Sequence, residues 1–173
     1  MFNTYASLSL RPANESDIEI LRFWDEQPHK RAVDPYTDWQ WESELRRQPD
    51  WREQLIAEHS GQPIGFIRII DPSQDETGRW DGFSNGHRAV DIWLGEPAHL
   101  GRGLGSNMMR HALNRCFENP EVKSVLVDPL ATNTPAHRFY ERLGFHYVER
   151  RMIGGDDCFL YELCRPQRSE TGL

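Results

Sequence analysis

A glycine-rich segment in the middle of the chain offers the clearest chemistry. It reads Leu100-Gly101-Arg102-Gly103-Leu104-Gly105-Ser106 and joins a strand-like stretch to a long helical one. At a helix start several backbone N–H groups lack partners and the helix dipole favours an anion. Glycine lets the backbone close around a pyrophosphate, and Arg102 can add positive charge at the rim. The segment therefore predicts a phosphate-binding loop; a tight turn without a ligand is the alternative.

Two common nucleotide-binding motifs do not fit this segment. A dinucleotide-binding fold requires Gly-x-Gly-x-x-Gly directly after its first strand, whereas this loop lies in mid-chain and follows Glu96-Pro97-Ala98-His99. An ATP-type loop requires Gly-Lys-Ser or Gly-Lys-Thr, and the segment contains neither.

The elements before the loop are predicted from hydrophobic spacing. Asn14 and Asp17 resemble a capping box at the start of a helix. A second helix is predicted between Pro35 and Pro49, and a polar loop covers residues 71–88. The predicted strands are 8–11, 54–58 and 64–70, the last two forming a hairpin, and the predicted helices begin at Asn14 and Asp38.

The predicted elements after the polar loop are strands alternating with helices, followed by a final pair of strands. Asn133 is suited to cap a helix that Gly144 ends, and Gly154-Gly155 is typical of a hairpin. The predicted strands are 89–94, 122–127, 147–153 and 158–163, with a helix at 106–119. This order predicts an α/β domain with a mixed sheet of about seven strands flanked by about four helices.

Length and composition indicate one folded domain. The chain has 173 residues, of which 38% are apolar and 27% charged, which suffices for a hydrophobic core. We expect the domain to cover residues 1–165 and a polar tail to cover 166–173. The three cysteines are expected to be reduced packing residues, and no His or Cys spacing is typical of a metal site.

Charge and hydropathy limit the classes of partner that the protein is expected to bind. The formal charge of −7 disfavours nucleic acid and favours a cationic substrate, although solubility alone is the stronger explanation of such a balance. No stretch has the roughly 18 apolar residues of a membrane helix, and the first residues do not resemble a secretory signal. We therefore expect a cytoplasmic protein without a membrane partner.

Two motifs resemble the GCN5-related N-acetyltransferases (GNAT). Gly103 and Gly105 occupy the small positions of that family's loop signature, whereas Leu100 stands where Gln or Arg is usual. The second motif runs from Asn133 to Phe145 and is similar to Asn-x-x-Ala-x-x-Phe-Tyr-x-x-x-Gly-Phe. The resemblance covers residues 8–163 and implies acetyl-CoA as co-substrate.

A narrower resemblance is to the aminoglycoside 6′-N-acetyltransferases, whose pattern is partly shared by siderophore-biosynthetic relatives. It rests on Asp91 ten residues before Gly101, on Asn119-Pro120-Glu121-Val122, and on Asp128-Pro129. It implies acetyl transfer to the primary amine of a cationic small molecule, by direct attack in a ternary complex. Siderophore acylation, acylation of a protein N-terminus and a non-catalytic acyl-CoA-binding module stay open, and a homodimer is compatible with the fold.

The resemblance assigns catalytic roles to Asp91 and Tyr140. Asp91 would take the proton of the acceptor ammonium, which has a pKa near 10. Alternation along the strand places Asp91 and Trp93 on one face and Val90, Ile92 and Leu94 on the other. Tyr140 would protonate the departing thiolate. Simpler structural interpretations are a solvated strand position for Asp91 and a core position for Tyr140.

The remaining predicted contacts follow from the same resemblance. Donor contacts are expected from backbone N–H groups of Ile92, Trp93 and Leu94, from all seven loop residues, and from Asn133, Ala136 and Tyr140. Acceptor contacts are expected from Asp34, Tyr36, Trp80, Asp81, Asp91 and Asp128. Loop packing, and an ordinary Asp-Pro turn at Asp128, are the alternatives. His87, His99 and His137 are interpreted as surface groups.

Overall fold

The computed structural model describes residues 8–34 and 38–167. Seven strands form one sheet, in the order β1-β2-β3-β4-β5-β7-β6. The strands are β1 (Leu8–Pro12), β2 (Arg52–His59), β3 (Gln62–Ile70), β4 (His87–Leu94), β5 (Ser124–Val127), β6 (His146–Ile153) and β7 (Asp156–Cys164). The helices are α1 (Ile18–Asp25), α2 (Pro28–Arg31), α3 (Trp41–Arg46), α4 (Leu104–Glu118) and α5 (Thr134–Arg142). The predicted mixed seven-stranded sheet is confirmed.

The helix starts show how local sequence fixes the elements. Asn14 accepts a hydrogen bond from the Ser16 N–H, and the Asp17 carboxylate accepts one from the Asn14 N–H, which completes the predicted capping box before α1. The Asn133 side chain accepts from the Ala136 N–H at the start of α5. The second predicted helix is shorter than expected, since α3 begins at Trp41 rather than at Asp38. The one-turn helix α2 was not predicted, because it has too few residues to show a periodicity.

Buried apolar side chains cover both faces of the sheet. Met108 and Met109 of α4 are fully buried on one face. Leu21 and Trp24 of α1 are fully buried on the other, where they pack with Phe66 of β3. Trp24 lies so close to the end of β4 that an added Cβ on Gly95 would be 2.1 Å from its ring. This packing fixes α1 against the end of β4.

The sheet divides between β4 and β5. These two parallel strands pair only at residues 87–89 with residues 124–126. Beyond those pairs β4 continues through Asp91 to Leu94, while β5 ends at Val127 and β7 pairs with the segment that follows it. Helix α4 packs on β1, β3 and β4, and α5 packs on β6. The divergence leaves an opening, the β4–β5 cleft, bounded by residues 90–94 and 127–136.

The three cysteines form no disulfide bonds, as expected, but only two of them pack in the core. Cys116 and Cys158 are buried, and burial raises the pKa of each thiol to about 12. Cys164 is exposed at the end of β7, which corrects the prediction of a packing role there. Within residues 8–34 and 38–167, no helix is long and apolar enough to span a membrane. In the same ranges, no three His, Cys, Asp or Glu residues are placed to share a metal ion.

Candidate active site

The free edge of β4 presents backbone donors to the β4–β5 cleft. Opposed residues of an antiparallel ladder alternate between bonded and non-bonded pairs. The Gly95 N–H donates to the Ile64 carbonyl at 2.8 Å, so the register directs the backbone of Trp93 toward β3. Ile92 and Leu94 therefore face the cleft, where the Leu94 carbonyl lies 2.8 Å from Nε2 of His29. The geometry agrees with donor contacts at these two residues and contradicts one from the Trp93 N–H.

The glycine-rich loop has the backbone geometry of an anion site. Gly101 and Gly103 have φ values of 69° and 75°, in the left-handed region that disfavours side chains. Gly103 is the N-cap of α4, and the first intrahelical bond there is donated by the Asn107 N–H. The amides of Leu104, Gly105 and Ser106 thus stand at the positive end of a 15-residue helix. The Leu100 side chain is exposed, and Arg102 is exposed at the rim.

The loop lies next to the cleft. A Cβ on Gly105 would be 3.6 Å from Phe139 of α5 and 3.8 Å from Leu94 of β4. These are ordinary contact distances, so the start of α4 meets both walls of the cleft. A diphosphate at the α4 N-terminus would therefore lie beside the edge of β4, where the N–H groups of Ile92 and Leu94 could hold the chain attached to it. The residues present fit coenzyme A.

A central cavity of about 450 Å³ lies at the inner end of the cleft. Ile92 of β4 and Ala136 of α5 line it, and so do the predicted residues Asp91, Asp128, Asn133 and Tyr140. The cavity therefore joins the donor cleft to a polar chamber. Its four basic residues, Lys30, Arg52, Arg68 and Arg79, are ion-paired with the cavity carboxylates Asp34, Glu44, Asp91 and Asp128 respectively.

Asp91 is held by an arginine from the neighbouring strand. Arg68 stands directly opposite Asp91 in the β3–β4 register. Its Nε and Nη2 atoms lie 2.7 and 2.6 Å from Oδ2 of Asp91. The same guanidinium stacks over the ring of Trp39 at 4.5 Å. Asp91 thus faces the cavity, as the strand alternation predicts, and is fixed in position by its partner.

The side chain of Asp128 is less exposed to solvent than that of Asp91. Asp128 follows the last residue of β5, and its side chain is 5% exposed. Arg79 donates to its Oδ2 at 2.7 Å and also lies 3.6 Å from Asp156. Burial and the negative charge of Asp91 raise the pKa of Asp128 to about 7, although Arg79 opposes the rise. A carboxyl group with this pKa exchanges protons near neutral pH.

Tyr140 is buried on the α5 side of the cavity. Burial, and then the charges of Asp91 and Asp128, raise the pKa of its phenol. The hydroxyl therefore keeps its proton at neutral pH and acts as a hydrogen-bond donor. Its ring packs edge-on against Phe139 and Phe145, so Tyr140 belongs to the core and lines the cavity at the same time.

The predicted acceptor residues separate into two groups. Asp34 lines the cavity, where its Oδ2 accepts hydrogen bonds from the Lys30 ammonium and from the indole N–H of Trp39. Trp80 is 3% exposed and packs in the core near Ile153, which contradicts the prediction of acceptor contact. Asp81 is exposed and lies outside the cavity lining. Tyr36 lies outside the described residues.

One histidine differs from its sequence interpretation. His137 is buried rather than on the surface, because its Nε2 lies 2.9 Å from the Leu130 carbonyl and its ring stacks on Phe159. It has a structural role that fixes the segment after β5 to helix α5.

The sequence analysis missed the arginines of the cavity and the aromatic wall beside them. The ring centroid of Trp39 lies 5.1 Å from that of Trp41 and 5.2 Å from that of Trp93. The Nζ atom of Lys30 lies 4.3 Å from the centroid of the Trp93 ring. Arg68 lies opposite Asp91 through the register between β3 and β4, and the long loop between these strands leaves that register undetermined in the sequence. Arg79 lies in the polar loop, and no sequence pattern indicated its contact with Asp128.

Comparisons with known proteins agree with this geometry. Residues 13–153 match the family model described as "Acetyltransferase (GNAT) domain". Aminoglycoside N(6′)-acetyltransferase type 1 of Klebsiella pneumoniae is 28% identical over 159 residues, which cover 83% of this chain and 76% of the relative. Lysine N-acyltransferase MbtK of Mycobacterium tuberculosis is 25% identical over 166 residues, or 91% of this chain and 77% of the relative.

A solved structure has the same fold. Aminoglycoside acetyltransferase AAC(6′)-Ib in complex with coenzyme A and kanamycin superposes with a TM-score of 0.82 and 26% identity. The match covers 92% of this chain and 95% of that one. Since the family model spans most of the chain, including the glycine-rich loop, the cleft and Tyr140, the chain belongs to the GNAT family of acetyltransferases.

Proposed function

We propose that this chain transfers the acetyl group of acetyl-CoA to a primary amine of an aminoglycoside, at the 6′ position. The observation that carries the proposal is the cleft that leads from the α4 N-terminus to a cavity holding Asp91, Asp128 and Tyr140. The relatives named above act on or bind compounds of this class, which supports the choice of acceptor.

Acetyl-CoA, the acetyl donor, is bound mainly by backbone N–H groups and less by side chains. The amides at the start of α4 bind the diphosphate, helped by the helix dipole. The N–H groups of Ile92 and Leu94 pair with the pantetheine chain and with the carbonyl that becomes an oxyanion. Acetyl-CoA supplies the thioester that is attacked. Since these contacts need only main-chain groups, the absence of Gln or Arg at position 100 leaves them intact.

The acceptor side must bind an ammonium ion and deprotonate it. Asp91 and Asp128 provide two carboxylates at the end of the cleft, and Trp39, whose ring stacks with Trp41 and with the Arg68 guanidinium, lines the cavity beside them. Tyr140 donates a proton to the departing sulfur. The amine attacks the thioester directly, with donor and acceptor bound together.

One observation favours a second acceptor class. Among the described residues, each of the four basic residues of the cavity is paired with one of its six carboxylates, so the lining carries only two excess negative charges. The guanidinium groups of Arg68 and Arg79 also suit an acceptor that carries a carboxylate near its amine. A lysine-like acceptor, as in the name of the MbtK relative, is therefore the second candidate.

Thiol release from acetyl-CoA tests these acceptors. We expect turnover with kanamycin and none with an otherwise similar aminoglycoside that has a 6′-hydroxyl in place of the amine. Turnover with lysine or hydroxylated lysines, and none with aminoglycosides, would establish the second candidate. Tight binding of coenzyme A without thiol release for any amine would indicate a non-catalytic acyl-CoA-binding module and overturn the enzymatic proposal.

A further inference from the structure

A lysine of the protein occupies the part of the cavity wall that is best suited to an ammonium ligand. We propose that Lys30 determines acceptor specificity: its ammonium excludes a second ammonium of the acceptor from this part of the cavity and favours a hydroxyl or a carboxylate there. The proposal rests on the proposed acetyl transfer to an amine, and it states which acceptors within the aminoglycoside class the protein uses best.

Two tryptophan rings and a carboxylate surround the Lys30 ammonium. Its Nζ atom lies 4.3 Å from the centroid of the Trp93 ring and 5.5 Å from that of Trp39. It donates to Oδ2 of Asp34, and the indole N–H of Trp39 donates to the same oxygen at 3.1 Å. Aromatic faces combined with a carboxylate are typical of sites that bind an ammonium ligand. We call Asp34, Trp39 and Trp93 the ammonium cage, and Lys30 fills it.

The local backbone holds Lys30 in the ammonium cage. The Lys30 carbonyl accepts hydrogen bonds from the N–H groups of Val33 and Asp34, so the turn after α2 keeps Lys30 beside its carboxylate partner. His29 links the same helix to the Leu94 carbonyl of β4. Lys30 is only 4% exposed, and moving its charge away from Asp34 inside the cavity would leave two buried charges unpaired. The ammonium therefore stays in place when an acceptor enters.

The ammonium cage lies beside Asp91, which receives the acceptor amine in the proposed reaction. Trp93 follows Asp91 by two residues in β4, so the two side chains share one face of the strand and are separated by about 7 Å along it. Lys30, Trp39, Trp93 and Asp91 all line the same cavity of about 450 Å³. A sugar ring whose amine binds Asp91 therefore directs its far edge toward Lys30.

The charge of the cavity differs between its two ends. Asp91 and Asp128 make the reacting end attractive to an ammonium, whereas the ammonium of Lys30 already compensates Asp34 in the cage. The Arg68 guanidinium lies 4.5 Å from the centroid of the Trp39 ring and adds positive charge beside the cage. A second ammonium there would be repelled more strongly than in water, because the site is partly dehydrated. A hydroxyl or carboxylate oxygen can instead accept a hydrogen bond from Lys30.

Kanamycin A and kanamycin B test this assignment. Both carry the 6′-amine, and position 2′ on the far edge of the same ring bears a hydroxyl in kanamycin A and an amine in kanamycin B. We expect the kcat/KM of wild type to be about 10-fold higher for kanamycin A. Assays at about pH 6.5 keep the 2′-amine charged. K30M, which removes the charge and keeps an apolar stem, should abolish the preference by lowering the KM for kanamycin B, whereas K30R should retain it.

A matched control removes the same charge elsewhere. Lys123 is exposed and lies outside the cavity lining. K123M therefore changes the net charge of the molecule as K30M does, and should leave the ratio of the two kcat/KM values within about twofold of wild type. Equal kcat/KM values for the two kanamycins in wild type, or a preference that K30M leaves unchanged, would overturn the proposal.

A binding measurement separates failure of this assignment from failure of the proposed function. K30A empties the ammonium cage, so n-butylammonium should raise the Tm of K30A by about 2–4 °C and leave that of wild type unchanged, while uncharged n-butanol should raise neither. If K30A does not fold alone, recovery of folded protein on adding n-butylammonium is the same result. No effect of n-butylammonium on K30A would overturn the assignment. Rescue of K30A, with no thiol release by wild type for any amine, would show that only the proposed function is wrong.

Discussion

The reacting groups are a few side chains whose behaviour is set by burial and by their neighbours. Tyr140 shows this at the residue scale, since its phenol is enclosed beside two carboxylates and its pKa is raised. A phenol of this kind is a weak acid, so it stabilises the departing thiolate by donating a hydrogen bond to the sulfur. Its role is therefore confined to the step in which sulfur departs.

Replacing Tyr140 by Phe should slow the chemical step and leave the fold intact. We expect kcat to fall by about 100-fold or more, because a general acid contributes on that order. The KM values should change little, because the ring still fills its position. Tyr161 provides a matched control, being a buried tyrosine whose hydroxyl donates to Glu141 at 3.1 Å outside the cavity lining. Steady-state kinetics should show Y161F within about twofold of wild type; equal losses in both variants would argue against a specific role for Tyr140.

Residues of the site differ in how far the sequence predicts them. Asp91 and Tyr140 lie in motifs and in regular elements, so alternation and helical spacing place them correctly in the cavity. Trp80 and Arg79 are neighbours in the polar loop; Trp80 was predicted to contact the acceptor, whereas Arg79 lines the cavity. The loop buries the large apolar ring in the core and brings the guanidinium to Asp128. Tertiary packing of a loop has no periodic signature, so these positions could not be derived.

At the scale of elements, the glycine-rich loop is where backbone conformation and function meet. Its glycines are not equivalent. Gly103 has a left-handed φ of 75° at the N-cap of α4. Gly105 lies inside the helix, where an added Cβ finds ordinary contact distances of 3.6 Å or more. Open space surrounds the Cβ position of Gly103, so backbone strain and not a clash is what requires glycine there.

Substituting alanine at the two glycines should change stability in opposite directions. G103A should lower the free energy of unfolding by about 1–2 kcal/mol, which is the cost of a left-handed alanine. G105A should be neutral or stabilise the fold by about 0.5–1 kcal/mol, since alanine is the better helix former. Urea denaturation of both variants measures this difference. G103A should also raise the KM for acetyl-CoA, because the strained N-cap shifts the amides that bind phosphate.

A contrary result at the loop would be informative as well. If G103A and G105A lost equal stability, the left-handed conformation of Gly103 would not be the cause. The β2–β3 hairpin and the capping side chains Asn14 and Asn133 were predicted correctly because these signals depend on two to four adjacent residues. The first residues of β4 and α3 were misjudged by two and three positions respectively, because pairing and packing rather than local preference decide where these elements begin.

At the scale of the whole molecule, the divided sheet links folding to binding. The strands β1–β4 are covered by α4, while β5, β7 and β6 form the other part with α5. The parts share the buried cluster around Met108 and Val125, yet β4 and β5 pair over only three residues each. A molecule bound along the cleft would touch both walls and replace the missing ladder. Coenzyme A should therefore act as a structural bridge as well as a substrate.

Coenzyme A should raise the thermal stability of the protein. A ligand at 100 times its Kd stabilises the folded state by about 2.7 kcal/mol, which corresponds to a rise in Tm of about 5–10 °C for a domain of this size. Calorimetry with increasing coenzyme A measures the shift. Hydrogen exchange should show added protection at residues 92 and 94 and at the start of α4.

Pantetheine, which lacks the phosphates, separates the two contributions. It should protect residues 92 and 94 but not the α4 amides, and should give a smaller rise in Tm. Protection confined to α4 with full coenzyme A would mean that the ligand binds only through its phosphates and does not bridge the cleft. The central cavity would then have no thioester beside Asp91 and Asp128, and acetyl transfer at that place would be ruled out.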